Sequence, residues 1–142
     1  MNISSATFFS IYSSNKAGLL AAINAHLIGK NVELQAVLGF DQGSGQGKIV
    51  AVPQEPTEFK AVINAPDWNS EWKVEEGGCF WVTGEDRAGM LVEILQKIAD
   101  EKLNLLVVDA VAIDGKFSCY LIASDDDYAA VAQVLGVRSA LI

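Results

Sequence analysis

The sequence predicts an α+β fold made of two tandem copies of a β-α-β-β-α-β arrangement, each an antiparallel sheet with its helices on one face. The first observation is a repeated hexapeptide, NKAGLL at Asn15–Leu20 and DRAGML at Asp86–Leu91. The two lie 86 − 15 = 71 residues apart, half of the 142-residue chain. Each also follows a short apolar run and opens an amphipathic helical pattern. We therefore predict two domains, residues 1–76 and 77–142.

The second copy shows the pattern most clearly. An aromatic and β-branched run predicts a strand over Cys79–Thr83, and Asp86 suits the N-cap of a helix over residues 88–102. Asp114-Gly115 is typical of a hairpin turn between strands over 104–113 and 116–123. Ser124 and three aspartates predict the start of a second helix, which Gly136 ends before a closing strand over 137–141.

The first copy repeats these elements in order. We predict strands over 7–13, 32–40 and 49–52, helices over 18–28 and 57–65, a last strand at Trp72–Val74, and a linker over 75–78. This order is the ferredoxin-like arrangement, in which the turn after the first strand lies at the same end of the sheet as the following hairpin. Asn15 is therefore expected near the glycine-rich tip at 41–47, and Asp86 near Asp114-Gly115.

The charge balance argues against nucleic acid and anionic membranes as partners. Only 10 Lys and Arg accompany 18 Asp and Glu, for a net charge of −8, and phosphate backbones are bound by cations. The chain has no apolar stretch approaching the ~20 residues that span a bilayer. Met1–Ser5 lacks the basic and apolar regions of a secretory signal. We expect a cytoplasmic protein.

The sequence offers little for catalysis. Cys79 and Cys119 lie in apolar strand-like runs and are predicted to be buried free thiols, staggered beyond disulfide reach. His26 is expected on the solvent side of its helix, so no nucleophile has an evident partner and no metal set is complete. The three tryptophans are expected in the core or an interface. We predict no catalytic residue, no metal and no cofactor.

The repeated hexapeptides allow two interpretations. The glycines can simply permit a tight strand-to-helix turn, with Asn15 and Asp86 as caps. Alternatively, the free N–H groups at each helix start can bind a small anion. The 41–47 segment is not a phosphate loop, because Gln42 and Ile49 stand where that motif requires Gly and Ser or Thr. It is predicted to be a flexible hairpin tip that could cover the first site.

Over nearly its whole length the chain resembles the ACT domain family, specifically small tandem ACT-domain proteins. The resemblance rests on an apolar strand followed by a D-R-x-G-x-L-like turn at Asp86–Leu91, and on Glu101–Leu105, which is similar to the family's G-I-N-I segment. Both features recur, at Asn15–Leu20 and Gly29–Leu34. Ala17 and Ala88 replace the family's usual proline, so the pre-set first-turn φ is lost.

The resemblance implies non-covalent binding of an amino acid or related small acid where domains meet. Carried over to this chain, the implied ligand-binding residues are Asn15, Ala17, Gly18, Leu19, Leu20, Asp86, Ala88, Gly89, Met90 and Leu91. Backbone N–H groups of the turns would hold the carboxylate, and Asn15 or Asp86 the amino group. Binding would control assembly or a separate metabolic enzyme.

Three hypotheses remain at this point. The first is the ligand-binding regulator, and the second is a protein-only regulatory or structural subunit. The third is a small acyl-phosphate hydrolase, for which Arg87 and Asn104 are the only candidates. Residues 105–113 are apolar on both faces apart from Asp109, so a covered sheet face and a homodimer are expected. Asp109 itself can lie on an exposed or interfacial patch, or in a polar site.

Overall fold

The structure, a computed structural model, describes residues 1–85 and 89–138. Its elements are β1 Asn2–Ser14, α1 Leu19–Gly29, β2 Leu34–Gly43, β3 Gln46–Pro53, α2 Pro56–Ile63, β4 Lys73–Glu85, α3 Met90–Asp100, β5 Leu105–Ile113, β6 Lys116–Ala123 and α4 Asp125–Leu135. The predicted α+β class is confirmed. Val137 and Arg138 lie outside any helix or strand, and the rest of the predicted closing strand lies outside the described residues.

The chain divides into two compact units. The central unit is Thr7–Gly77, and the terminal unit combines Met1–Ala6 with Gly78–Ile142. Strand order is β2-β3-β1-β4 in the central unit and β1-β4-β6-β5 in the terminal unit. In the terminal unit the first residues of β1 thus lie at the edge of the sheet, next to β4.

Each unit has its own core, formed where both of its helices pack on one sheet face. In the central unit, alternate residues of β1 and β3 meet the buried sides of α1 and α2: Phe9, Ile11, Ile49 and Ala51 contact Ile23, Leu27, Phe59 and Val62. The Phe9 and Phe59 rings stack with centroids 4.2 Å apart. In the terminal unit, β4 and β6 meet α3 and α4 in the same way, through Phe80, Val82, Phe117, Cys119, Leu121, Ile94, Ile98 and Val131. The period-2 strands and helical stripes of the sequence account for both cores.

The predicted linker over 75–78 contains the boundary between the two units, which falls between Gly77 and Gly78, but these residues lie inside the continuous strand β4. Two consecutive glycines favour a break in a strand pattern, but here they make room for aromatic rings. A Cβ on Gly77 would lie 2.5 Å from the Phe8 ring, and one on Gly78 would lie 2.5 Å from the Tyr128 ring. The glycines are therefore packing positions rather than a flexible connection.

The hairpin tip over 41–47 is also shorter than predicted. β2 continues to Gly43 and β3 begins at Gln46, so only Ser44 and Gly45 form the turn, with φ of 52° and 75°. Asp114 and Gly115 have nearly the same φ values, 53° and 75°. The two hairpins therefore share one tight turn with both residues in the left-handed region.

Helix α4 begins and ends as predicted. The Ser124 hydroxyl oxygen accepts a hydrogen bond from the Asp127 N–H at 3.3 Å, and Gly136 ends the helix with φ 73°. Cys79 and Cys119 are buried free thiols, as predicted. Within the described residues, no helix is long and apolar enough to cross a membrane.

Candidate functional site

The turn before α1 exposes backbone N–H groups. Gly18 is the N-cap with φ 85°, and no side chain caps the helix. The interpretation of Asn15 as a side-chain cap is therefore wrong. The Leu19 N–H donates to the Lys16 carbonyl at 3.1 Å, and the Ala22 N–H donates to the Gly18 carbonyl at 2.8 Å. The Leu20 and Ala21 N–H groups between them belong to the first helical turn, which has no intrahelical acceptors for them.

The β2–β3 hairpin lies against this turn. The Asn15 N–H donates to the Gly45 carbonyl at 2.7 Å, so the predicted proximity of Asn15 to the hairpin is confirmed. Gly47 approaches the turn closely: a Cβ there would lie 3.4 Å from Asn15 Oδ1 and 3.2 Å from Leu19 Cδ2. The absence of a side chain at Gly47 keeps a space open beside Asn15 and the helix start.

The space between the turn and the hairpin is a pocket of about 650 Å³, the α1 pocket. Its charged residues are Lys16, Lys48 and Asp41. Lys48 Nζ lies 5.5 Å from the Tyr12 ring centroid, and Asp41 Oδ1 accepts a hydrogen bond from the Gly43 N–H at 2.9 Å. The pocket thus combines free amides, both signs of charge and the positive end of a helix dipole.

The α1 pocket contains most, but not all, of the residues singled out in the first hexapeptide. Asn15, Gly18, Leu19 and Leu20 line it, whereas Ala17 is an exposed turn residue outside the lining. The sequence analysis did not identify the residues that line the pocket from the hairpin side. These are Gly39, Phe40, Asp41, Gly47, Lys48 and Ile49. The available signal was the antiparallel topology, which already placed the hairpin beside Asn15.

The terminal unit has a related pocket of about 660 Å³ at the start of α3, the α3 pocket. Gly89 is the N-cap with φ 88°, and Met90 lines the pocket. Leu91 instead packs against the core. The predicted residues Asp86 and Ala88 lie outside the described residues, as does Arg87.

The described lining of the α3 pocket is largely apolar. Among its residues are Met1, Met90, Val111, Ile113 and Phe117, together with the polar Thr83, Ser118, Glu85 and Lys116. The Trp81 Nε1–H donates to the Ser118 hydroxyl oxygen at 2.8 Å.

The hydrolase hypothesis finds little support in the position of Asn104. Asn104 is exposed and follows the C-terminal end of α3. Arg87, the other candidate, lies outside the described residues. Within residues 1–85 and 89–138, no group of three His, Cys, Asp or Glu side chains is placed to hold a metal ion.

His26 is not on the solvent side of its helix as predicted. It is half-buried, with its ring 5.4 Å from that of Trp68 and 6.0 Å from that of Trp72, both edge to face. Its Nε2 is buried and finds no hydrogen-bond partner among the described residues. Trp68 and Trp72 pack against the central core, as predicted. The apolar rings explain the burial of a histidine on this side of α1.

Asp109 is half-buried on β5, opposite Tyr120 of β6 in the strand register. Burial raises the pKa of Tyr120 above its ordinary value, and the neighbouring Cys79 and Asp109 raise this pKa further. Burial alone raises the pKa of Cys79 to about 12. Burial, followed by the charge of Asp109, raises that of Cys119 to about 11. Both thiols are therefore protonated near neutral pH and poor nucleophiles.

Solved structures with the same fold include regulatory subunits. A protein from Bacteroides thetaiotaomicron matches with a TM-score of 0.77 at 18% identity, covering 96% of this chain and 90% of that one. The regulatory subunit of aspartate kinase from Thermus flavus matches with a TM-score of 0.61 at 10% identity, covering 95% of this chain and 92% of that one. Its counterpart from Thermus thermophilus, in a ligand-free form, has a TM-score of 0.60 at 9% identity, covering 95% and 93%.

No family model matches the chain, and no curated protein matches it significantly. The structural likenesses support an ACT-type fold, and at these identities they extend to the fold alone.

Proposed function

We propose that this protein is a non-catalytic regulator that binds an amino acid or related small carboxylic acid through two ACT-like domains. The bounds predicted from the sequence are 1–76 and 77–142, and the compact units differ from them mainly in placing Met1–Ala6 with the second domain. The observation that carries the proposal is the α1 pocket, where helix amides, two lysines and an aspartate surround about 650 Å³. The shared fold with regulatory subunits of aspartate kinase is consistent in kind with allosteric control.

The α1 pocket has complementary groups for both ends of an amino acid. A carboxylate can accept hydrogen bonds from the Leu20 and Ala21 N–H groups and gains from the helix dipole. Asp41 and Asn15 Oδ1 supply acceptors for an ammonium group. Because the protein carries a net charge of −8, its overall field repels acids, so Lys16 and Lys48 must supply the local attraction.

The regulatory step requires that the ligand bind one arrangement of the protein better than another. We propose a cytoplasmic homodimer whose assembly, or whose association with a separate metabolic enzyme, changes on binding. In the terminal unit the corresponding ligand residues would be Asp86, Ala88, Gly89, Met90 and Leu91.

A thermal-shift scan tests the proposal, using each standard amino acid and the common 2-oxo acids as probes. A ligand at ~100 times its Kd adds about 2.7 kcal/mol to the free energy of unfolding and raises the Tm by several degrees. A Gly18→Val/Gly89→Val double variant should lose this rise, since both positions have φ near 85–88°, which β-branched residues rarely adopt. Gly29→Val, at a helix end with open space and ordinary φ, is the matched control. No shift from any probe would overturn the proposal.

The alternative is a protein-only regulatory subunit, and one observation favours it. Edge strand β5 exposes large apolar side chains, with Leu106 68% and Ile113 66% exposed. Such a strand can pair with another chain through its free N–H and C=O groups. Under this alternative the Gly18→Val/Gly89→Val variant would leave partner association unchanged, and no amino acid would shift the Tm.

A further inference from the structure

The α1 and α3 pockets occupy equivalent places in the two units. Ser13 on β1 pairs with Gly47 on β3, and Gly84 on β4 pairs with Phe117 on β6. The strand residues are 84 − 13 = 71 positions apart, and the hairpin residues 117 − 47 = 70. The two spacings differ by one residue because β2 has a register shift between Asp41 and Gly43, just before its hairpin. The corresponding part of β5 has no such shift. Gly47 and Phe117 are therefore structural equivalents.

In the α1 pocket this position carries no side chain. The nearest atoms to a Cβ on Gly47 belong to Leu19 and Asn15, at 3.2 and 3.4 Å. A larger residue would project into the space beside the Asn15 amide oxygen. Its partner Ser13 is also small, so the sheet leaves polar atoms of the helix turn accessible from the hairpin side.

In the α3 pocket the same position carries a phenyl ring. A Cβ on Gly84 would lie 3.0 Å from Phe117 Cε1 and 3.3 Å from Met90 Cε. Phe117 is only 8% exposed and belongs to the terminal core. Its ring and the Met90 side chain therefore form an apolar wall of the α3 pocket at the place where Gly47 leaves the α1 pocket without a side chain.

We propose that the chain has one amino-acid site, the α1 pocket, and that Gly47 is the specificity-determining residue, with Phe117 closing the equivalent place in the terminal unit to a charged head group. This inference rests on the proposed function and restricts it to one unit. The Phe117 ring and the Met90 side chain offer no strong hydrogen-bonding group, so a carboxylate or ammonium placed against them would lose hydration on that side without compensation from these two residues, which costs free energy.

The test uses Gly47→Phe in the full chain, with the amino acid that gives the largest Tm rise in the wild-type scan as the probe. Calorimetric titration of the wild type should give one site per chain. Amide NMR shifts should concentrate on Leu20, Ala21 and Gly47 rather than on Gly89–Leu91. Gly47→Phe should weaken binding roughly tenfold or more, since each tenfold step corresponds to about 1.4 kcal/mol.

Two further variants keep the result interpretable. In Gly47→Ala the new Cβ would lie 3.2 Å from Leu19 Cδ2 and 3.4 Å from both Asn15 Cβ and Asn15 Oδ1. These neighbours need to move by only a few tenths of an ångström, so this variant should fold and weaken binding to a smaller extent. Ile113→Ser changes the α3 pocket lining and should leave affinity and stoichiometry unchanged.

Two outcomes separate this inference from the proposed function. Two sites per chain, equal shifts at both turns, or full affinity in Gly47→Phe would overturn the single-site inference and leave amino-acid binding intact. If no amino acid binds the wild type, the proposed function fails and the inference falls with it.

Discussion

Adding one methyl group at Gly77 or Gly78 should destabilise this protein. In a flexible linker, Gly→Ala stabilises by about 0.4–1 kcal/mol, because it restricts the unfolded chain. In the structure both glycines lie in β4, and the Cβ positions lie 2.5 Å from the Phe8 and Tyr128 rings. Since carbon atoms pack at about 3.5–4.0 Å, each ring would have to move by about 1 Å. A flexible linker and a packed strand therefore predict changes of opposite sign in the free energy of unfolding.

The size of the effect depends on how freely each ring can move. Tyr128 is 3% exposed and stacks on Phe80 with ring centroids 4.9 Å apart, so it has little room. Phe8 is only half-buried and can yield more easily. Overpacking a filled core costs typically about 1–3 kcal/mol. We expect Gly78→Ala near the upper end of this range and Gly77→Ala near the lower.

Urea denaturation followed by tryptophan fluorescence measures both effects. Trp68 and Trp72 report on the central unit and Trp81 on the terminal unit. With m of about 1–3 kcal/mol/M, a loss of about 2 kcal/mol lowers the urea midpoint by roughly 1 M. Gly29→Ala is the matched control, because a Cβ there meets nothing within 4 Å. It should raise the free energy of unfolding by up to ~1 kcal/mol, and the urea midpoint with it. A midpoint that rises in Gly78→Ala as it does in the control would refute the packing argument.

Two other predictions concern α4 and the thiols. Ser124→Ala removes the acceptor of the Asp127 N–H and should lower the free energy of unfolding by about 1 kcal/mol in the same urea assay. Ser124→Asp keeps an acceptor and should lower it less. Equal losses in the two variants would contradict the capping role. The pKa values of Cys79 and Cys119 are raised from 9.0 to about 12 and 11. Because these thiols ionise at lower pH in the unfolded chain, their ionisation should have no effect on the free energy of unfolding below pH 9, where stability is complete, and this free energy should fall as the pH rises toward 11–12. Disulfide-exchange reagents at pH 8 should label both thiols rapidly only in denaturant, and fast labelling of the native protein would contradict their burial.

Local sequence patterns predicted most of the elements because the signals lie within a few residues of each other. The α3 stripe, the Asp114-Gly115 turn and the Ser124 cap each depend on spacing within one helix or hairpin, and the structure has all three. The errors lie where a local signal is ambiguous. Gly43 and Gly45 suggested a long loop, but left-handed φ at Ser44 and Gly45 makes the tightest type of hairpin turn.

The candidate site was predicted only in part, because local signals identify one side of it and long-range contacts form the other. The hexapeptide identified the glycine turn of α1, and topology placed it beside the hairpin. Asp41 and Lys48 were not identified as lining residues, because the register between β2 and β3 decides which side chains reach the pocket. His26 was misplaced because Trp68 and Trp72, which cover it, are more than 40 residues away in sequence.

The α+β class, the repeated hexapeptide and the glycine turn at each helix start could be identified from the amino-acid sequence, since periodicity and left-handed φ are properties of short segments. The folded chain was needed to show that Gly77 and Gly78 accommodate rings, that Met1–Ala6 belong with the C-terminal half, and that Gly47 and Phe117 are equivalent. Each of these features depends on contacts between residues far apart in sequence, which local patterns do not encode. Phe8 meets Gly77, Tyr128 meets Gly78, and the two hairpins match only after a one-residue shift in register.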